Sequence, residues 1–105
     1  MKLSITLVLE TEKEKNALVV VSRLNKLISA GSPVLEKYYK GGTKAFLEKD
    51  LLENSWPEAL LAGLTVAQAF GRSWTVLGQA EEELNLVGNE FLVVGIEWAQ
   101  ISLIR

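Results

Sequence analysis

The chain of 105 residues contains no histidine and no cysteine. Histidine is the side chain that most often acts as a base near neutral pH, and the cysteine thiolate is a common nucleophile and metal ligand. Without them these residues can form no serine–histidine triad, no cysteine nucleophile and no disulfide. The composition is compatible with a reducing compartment and gives little support for an enzyme.

Long apolar runs and concentrated positive charge are also missing. No segment reaches the ~18 consecutive apolar residues of a transmembrane helix. The formal net charge is −2, and the basic residues are spread along the chain rather than gathered into the patch that nucleic acid normally requires. The apolar stretch after Met1 is short, and Glu10–Glu14 follows where a signal peptide would have small residues. We therefore expect a cytoplasmic protein without membrane or nucleic-acid partners.

No motif carries recognisable catalytic or cofactor chemistry. Residues 41–44 (GGTK) lack the upstream glycine and the strand-to-helix context of a phosphate-binding loop. Glu81 and Glu83 would share one face of a strand, where they either hold a hard cation such as Mg²⁺ or form a solvated edge that discourages aggregation. The second interpretation is favoured because no third ligand follows at a recognisable spacing. We expect no metal and no cofactor.

Hydrophobic periodicity is the positive signal in this chain. From Leu3 to Leu9, apolar residues alternate with polar ones, with Val8 as the exception. This pattern predicts a strand with one packed face and one open face. Thr11 and Glu14 then form a capping box for a first helix, which we expect to end at Gly31.

A second helical pattern is equally well delimited. Ser55, Pro57 and Glu58 mark its start and Gly71 its end. Gly63 and the alanine four residues later are typical of a helix that packs closely against a neighbour. The residues predicted to face inward on the two helices are Ala17, Val20, Val21, Leu24, Leu27 and Ile28, then Leu60, Leu61, Leu64, Ala67 and Phe70.

Two strand-like segments surround the glycine pair at 41–42. Val34–Lys40 predicts a strand, and the glycine pair predicts a turn. Thr43–Leu52 is compatible with a return strand or with a short helix. We favour a strand that runs to about Glu48.

The last third of the chain predicts two more strands and completes the fold. The first covers Trp74–Val87, and residues 88–89 (GN) suit a two-residue hairpin turn. The last covers Phe91–Ile104, with a kink or bulge at Gly95. This order predicts one α+β domain over residues 1–105, with a two-layer, ferredoxin-like β-α-β-β-α-β plan and an extra C-terminal hairpin. Two helices would then cover one face of a largely antiparallel sheet.

Aromatic residues are the candidates for a contact surface. Adjacent Tyr38 and Tyr39 would point to opposite sides of a strand, so that one of them stands on the open face. A strict alternation places Trp98 with Ile96, Gln100 and Ser102 on one face, and Glu97, Ala99, Ile101 and Leu103 on the other. Both faces of this strand are then apolar, which predicts that a second subunit covers the open face. Alternatively, Trp98 fills the core and the alternation slips at a bulge near Gly95.

We expect a non-catalytic binding or assembly protein that uses its sheet face for self-association, as a homodimer, or for a protein partner. The candidate contacts are Tyr38, Tyr39, Trp74, Trp98 and Gln100. Two alternatives stay open. One is a small-molecule-binding regulatory domain with a pocket between sheet and helices, lined by both of these tryptophans and a tyrosine. The other is a cofactor-independent enzyme of the dimeric α+β type, with glutamate, lysine or tyrosine as its base.

Overall fold

An antiparallel sheet of six strands forms the centre of the structure. The computed structural model describes residues 1–79 and 81–104. Its elements in chain order are β1 (Lys2–Leu9), α1 (Glu14–Ile28), β2 (Val34–Lys37), β3 (Thr43–Asp50), α2 (Trp56–Phe70), β4 (Gly71–Arg72), β5 (Thr75–Leu77), β6 (Glu83–Gly88), β7 (Glu90–Phe91) and β8 (Ile96–Ile104). The strands of the sheet lie in the order β2-β3-β1-β8-β6-β5, and the short strands β4 and β7 pair with each other. The predicted α+β class, with two helices and a largely antiparallel sheet, is confirmed.

Strand β1 alternates between a buried and an accessible side, as its sequence predicts. Leu3, Ile5, Leu7 and Leu9 are at most 1% exposed. They belong to one hydrophobic core together with buried residues of β3, β6, β8 and both helices. We call this side of the sheet the covered face. The other side, which carries Ser4, Thr6 and Val8 of β1, is the open face.

Helix α1 begins later than its sequence pattern indicates. Its first residue is Glu14, and the preceding Lys13 provides no side-chain cap. The predicted capping residue, Thr11, accepts a hydrogen bond from the Lys13 amide at 3.2 Å instead. The carbonyl oxygen of Thr11 also accepts a hydrogen bond from Thr43 Oγ1 at 2.7 Å. Thr11 therefore fixes the loop before α1 to the start of β3 rather than starting the helix.

The end of α1 also differs from the prediction. The helix stops at Ile28, and Ser29 has a left-handed backbone conformation with a φ of 53°. The Asn25 side chain forms hydrogen bonds with the backbone just after the helix. Its Oδ1 accepts from the Ala30 amide at 2.9 Å, and its Nδ2 donates to the Gly31 carbonyl at 3.2 Å. An asparagine side chain thus replaces the predicted glycine stop.

Helix α2 has the predicted boundaries. Ser55 Oγ accepts a hydrogen bond from the Glu58 amide at 3.4 Å, Pro57 lies in the first turn, and Gly71 follows the last helical residue. The helix contacts the sheet through its small residues, because a Cβ added at Gly63 would lie 3.1 Å from Leu84 Cδ2. The sequence pattern is correct for both the ends of α2 and its close packing.

The sequence predicts the rotation of α2 about its axis less well than it predicts the ends of the helix. Leu61, which the pattern places inward, is 65% exposed. The buried side consists of Trp56, Ala59, Gly63, Val66, Ala67 and Phe70. Because α2 is apolar on nearly all sides, its periodicity does not define a single inward stripe. The small residues decide the rotation by allowing the closest approach to the sheet. Leu27 of α1, also predicted inward, is 49% exposed.

Residues 74–87, which the sequence predicts as one strand, contain a hairpin instead. Its two strands are β5 and β6, which pair with Val76 opposite Leu86. Residues 88–89 do not make a two-residue turn, because the next strand, β7, pairs with β4 rather than with β6. The hairpin β5–β6 precedes the final strand, whereas the sequence predicts an additional hairpin at the C-terminus. Within the described residues, neither helix has both the length and the apolar character to cross a membrane.

The buried face of α1 gives a direct test of the packing. Leu24 is 0% exposed, so Leu24→Ala should lower the free energy of unfolding by about 2–5 kcal/mol, the usual penalty for emptying a packed site. Leu61→Ala, at an exposed position, serves as the matched control and should be near neutral. Urea denaturation followed by circular dichroism measures both. Equal stability of the two variants would contradict the packing.

Candidate interaction site on the open face

A β-bulge in β8 decides which face Trp98 occupies. Val8 of β1 lies opposite Trp98, but the next residue of β1, Leu9, lies opposite Ile96. Glu97 is therefore the extra residue, and the alternation shifts there. Ile96 is 6% exposed and belongs to the core, so the prediction that it shares a face with Trp98 is wrong.

Beyond the bulge, β8 alternates regularly. Ala99, Ile101 and Leu103 are 0% exposed on the covered face. Trp98, together with Gln100 and Ser102, therefore stands on the open face and is half-buried there. The slip in alternation that the sequence left open does occur, but Trp98 does not fill the core.

An uncharged row of side chains crosses the open face from one edge of the sheet to the other. Strand register places one residue of each strand in this row: Val34, Phe46, Thr6, Gln100, Val87 and Thr75, in the order of the strands. The row is roughly 24 Å wide, because neighbouring strands lie about 4.8 Å apart. The row therefore crosses the whole sheet without a charged side chain.

Uncharged residues continue the row on both sides near the middle of the sheet. On one side, Val8 lies opposite Trp98, and Val8 is only 7% exposed although it is on the open face. On the other side, Ser4 lies opposite Ser102, whose Oγ donates a hydrogen bond to Asn85 Oδ1 at 2.8 Å. The centre of the face is therefore apolar or neutral, and Ser102 and Asn85 satisfy each other within it.

Charged side chains flank the uncharged row along both of its margins, and on β3 Lys44 and Glu48 lie two residues from Phe46 on the same face. One margin carries Lys44, which is opposite Val8 and Glu36. The other carries Lys2, whose Nζ lies 3.4 Å from Glu48 Oε2 with both side chains largely exposed. An apolar centre with a charged rim is the usual arrangement of a protein–protein interface.

Tyr38 and Tyr39 lie in the turn that follows β2 rather than on the strand itself. Their rings pack edge to face with centroids 5.0 Å apart, and Tyr39 is 83% exposed. Lys44 Nζ lies 5.0 Å from the centroid of the Tyr38 ring, and Lys40 Nζ lies 5.6 Å from that of Tyr39. Lys44 thus links Tyr38 to the margin of the open face, whereas Tyr39 extends into solvent.

Trp74 lies on the opposite side of the sheet from Trp98. Its ring contacts Gly71 and Gly88 so closely that a Cβ at either glycine would lie less than 3 Å from ring atoms. Its Nε1 donates a hydrogen bond to the Ala67 carbonyl at 3.1 Å, and its ring packs against Phe70 with centroids 5.3 Å apart. Trp74 closes one end of the covered face, so a pocket lined by both tryptophans does not exist in this structure.

The glutamates at 81–83 do not form the alternating strand pair that a cation would need. Glu81 and Glu82 lie in the turn before β6, and only Glu83 belongs to the strand. Within residues 1–79 and 81–104, no group of three or more acidic side chains is placed to hold a metal ion.

Four of the five predicted contact residues have an identifiable place relative to the open face. Trp98 and Gln100 lie on it, Tyr38 borders it, and Trp74 lies behind it. Phe46 also lies on the open face, although it is not among the predicted contacts. Its position follows from the alternation of β3 once the Thr43–Asp50 strand is known.

Comparisons with protein-family models, curated proteins and solved structures gave no match. The geometry of the open face therefore carries the functional argument.

The tight packing of Trp74 is testable by a double-mutant cycle. Gly88→Ala places a methyl group 2.9 Å from the Trp74 ring and should destabilise the protein by roughly 1–3 kcal/mol, as overpacking does. In a Trp74→Leu background the same change should cost less, because the obstructing ring is gone. Denaturant unfolding of the four proteins gives the coupling. Strictly additive effects would place Trp74 elsewhere.

Proposed function

We propose that this protein is a non-catalytic assembly protein whose open sheet face binds the same face of a second copy. One observation carries the proposal, namely the uncharged row that crosses all six strands with Phe46 and Trp98 half-buried at or beside it. A sheet face that meets only water normally carries polar and charged side chains at alternate positions. Here no charged side chain lies within the row, and the charges stand on either side of it.

The fold explains why this face is available for binding. We assign the chain to a two-layer, ferredoxin-like plan, in which β1, α1, β2, β3, α2 and β8 form the core and β5–β6 is inserted before the last strand. Side chains of both helices share the core with the covered face, so that within residues 1–79 and 81–104 no helix covers the other face. We propose that the protein acts in the cytoplasm and binds through this flat surface.

The dimensions and chemistry of the face suit a second copy. One uncharged row of roughly 24 Å crosses the six strands, and on β1 and β8 uncharged side chains extend it to three levels, about 14 Å along the strands. An interface of standard size takes ~800 Å² from each partner, so the charged rim has to take part in the contact as well. Tryptophan is enriched among residues that dominate binding energy. Two neutral centres meet without opposing like charges, so self-association has no electrostatic penalty at its core.

The role of Trp98 can be tested by measuring the mass of the assembly. Trp98→Ser should halve the assembled mass, because it removes the largest apolar side chain of the face. Gln100→Glu should have the same effect, since it inserts a charge into the uncharged row without removing bulk. Native mass spectrometry at tens of micromolar gives the mass, and far-ultraviolet circular dichroism checks folding.

Leu52→Ser is the control, because Leu52 is 91% exposed and follows β3 outside the face. This variant should keep the wild-type mass. Folded Trp98→Ser and Gln100→Glu variants that also retain the wild-type mass would refute association through the open face.

A further inference from the structure

The charge along β3 changes sign about the uncharged row of the open face. Lys44 lies two residues before Phe46 and Glu48 two residues after it, all on the same face. The positive and the negative side chain therefore stand on opposite sides of the row, each about 7 Å from it along the strand. The other charged side chains that the strands place on this face are Lys2, Glu36, Asp50 and Glu83.

Neighbours within the chain leave Lys44 and Glu48 able to take a further partner. Glu36 lies opposite Lys44, and Lys2 Nζ lies 3.4 Å from Glu48 Oε2 with side chains 65% and 64% exposed. Exposed pairs of this kind contribute little to stability in water. An ammonium group donates several hydrogen bonds and a carboxylate accepts several, so a side chain of opposite sign from another molecule can join either pair.

Two symmetric arrangements bring the uncharged rows of two copies into contact, and in the first the twofold axis runs parallel to the strands. With the axis above the centre of the sheet, β3 lies over the partner's β6 at the same level along the strands. Glu48 then lies over the partner's Asn85, and Asp50 lies over the partner's Glu83. This arrangement leaves Glu48 without an opposite charge and opposes like charges twice by symmetry.

In the second arrangement the twofold axis runs along the row itself. Each strand then lies over its own copy in antiparallel orientation, and Lys44 lies over the partner's Glu48, again twice by symmetry. The remaining charged side chains of the face lie opposite positions outside the partner's strands, so no like charges oppose each other within the two sheets. Aligned sheets pack with their strands about 30° apart, and the long lysine and glutamate side chains accommodate this angle.

We propose that the open faces associate about a twofold axis along the uncharged row, with Lys44 of each copy paired to Glu48 of the other. This inference rests on the proposed self-association of the open face and adds its orientation. Because the charged rim has to take part in an interface of standard size, the rim decides between the two arrangements. Like charges opposed across an interface suppress association, whereas opposite charges fix its register. Phe46 then lies over its own copy, and Trp98 lies over the partner's Ser102.

Two charge reversals test this pairing, because each creates like charges that the other relieves. Lys44→Glu places a carboxylate over the partner's Glu48, and Glu48→Lys places an ammonium over the partner's Lys44. Each variant alone should raise the dissociation constant of the dimer at least about tenfold. An equimolar mixture should restore wild-type association as a heterodimer, since both contacts are then of opposite sign. Analytical ultracentrifugation gives the constants, and native mass spectrometry with one variant isotope-labelled counts the heterodimers.

Lys15→Glu and Glu14→Lys are the matched controls, because they change the net charge by the same amounts at exposed positions of α1, away from the open face. Neither control should weaken the dimer, and their mixture should give heterodimers in the statistical proportion. If the reversals on β3 behave like these controls while Trp98→Ser halves the mass, the axis along the row is refuted and association through the open face stands. If folded Trp98→Ser keeps the wild-type mass, the proposed function fails and this orientation fails with it.

Discussion

The packing of β1 is the constraint on which the rest of the structure depends. This strand pairs with β3 on one side and with β8 on the other, and its four covered-face side chains are almost completely buried. A one-residue slip against either neighbour would move these side chains to the open face and expose the core. The register of β1 therefore determines both the packed interior and the composition of the open face. The bulge at Glu97 keeps this register while placing Ile96 in the core and Trp98 outside it.

Much of this organisation can be predicted from the sequence, and the successes have a common cause. The strand character of β1, the ends of α2 and the glycine turn before β3 all follow from local chemistry within a few residues. Side-chain alternation, helix caps and turn glycines act on their neighbours in the chain. Two of the failures involve partners distant in sequence. Thr11 bonds to the start of β3, and the position of the shift in β8, predicted near Gly95, is fixed only by pairing with β1.

The candidate site was predictable only in part, for the same reason. Trp98 and Gln100 were identified from β8 alone, but Phe46 and Val87 join them only through strand pairing. The sequence places both Trp74 and Trp98 on strands and does not distinguish their faces. Gly71 and Gly88 have no Cβ, and this leaves room for the Trp74 ring on the covered face. The buried side of α2 was also predictable only in part. Its sequence is apolar on nearly all sides, so the buried side is set by the close approach of the helix to the sheet at Gly63.

The central claim is that a second copy covers the open face in solution, and the accessibility of Trp98 measures this most directly. Fluorine NMR of protein labelled with fluorotryptophan resolves the three tryptophans, and a soluble paramagnetic agent broadens the accessible ones. Trp56, which is 6% exposed, provides the buried reference within the same molecule. The account predicts that Trp98 is protected to the same degree as Trp56 in concentrated solution. Broadening of Trp98 well beyond that of Trp56, as expected for the half-buried Trp98 of an isolated chain, would contradict it.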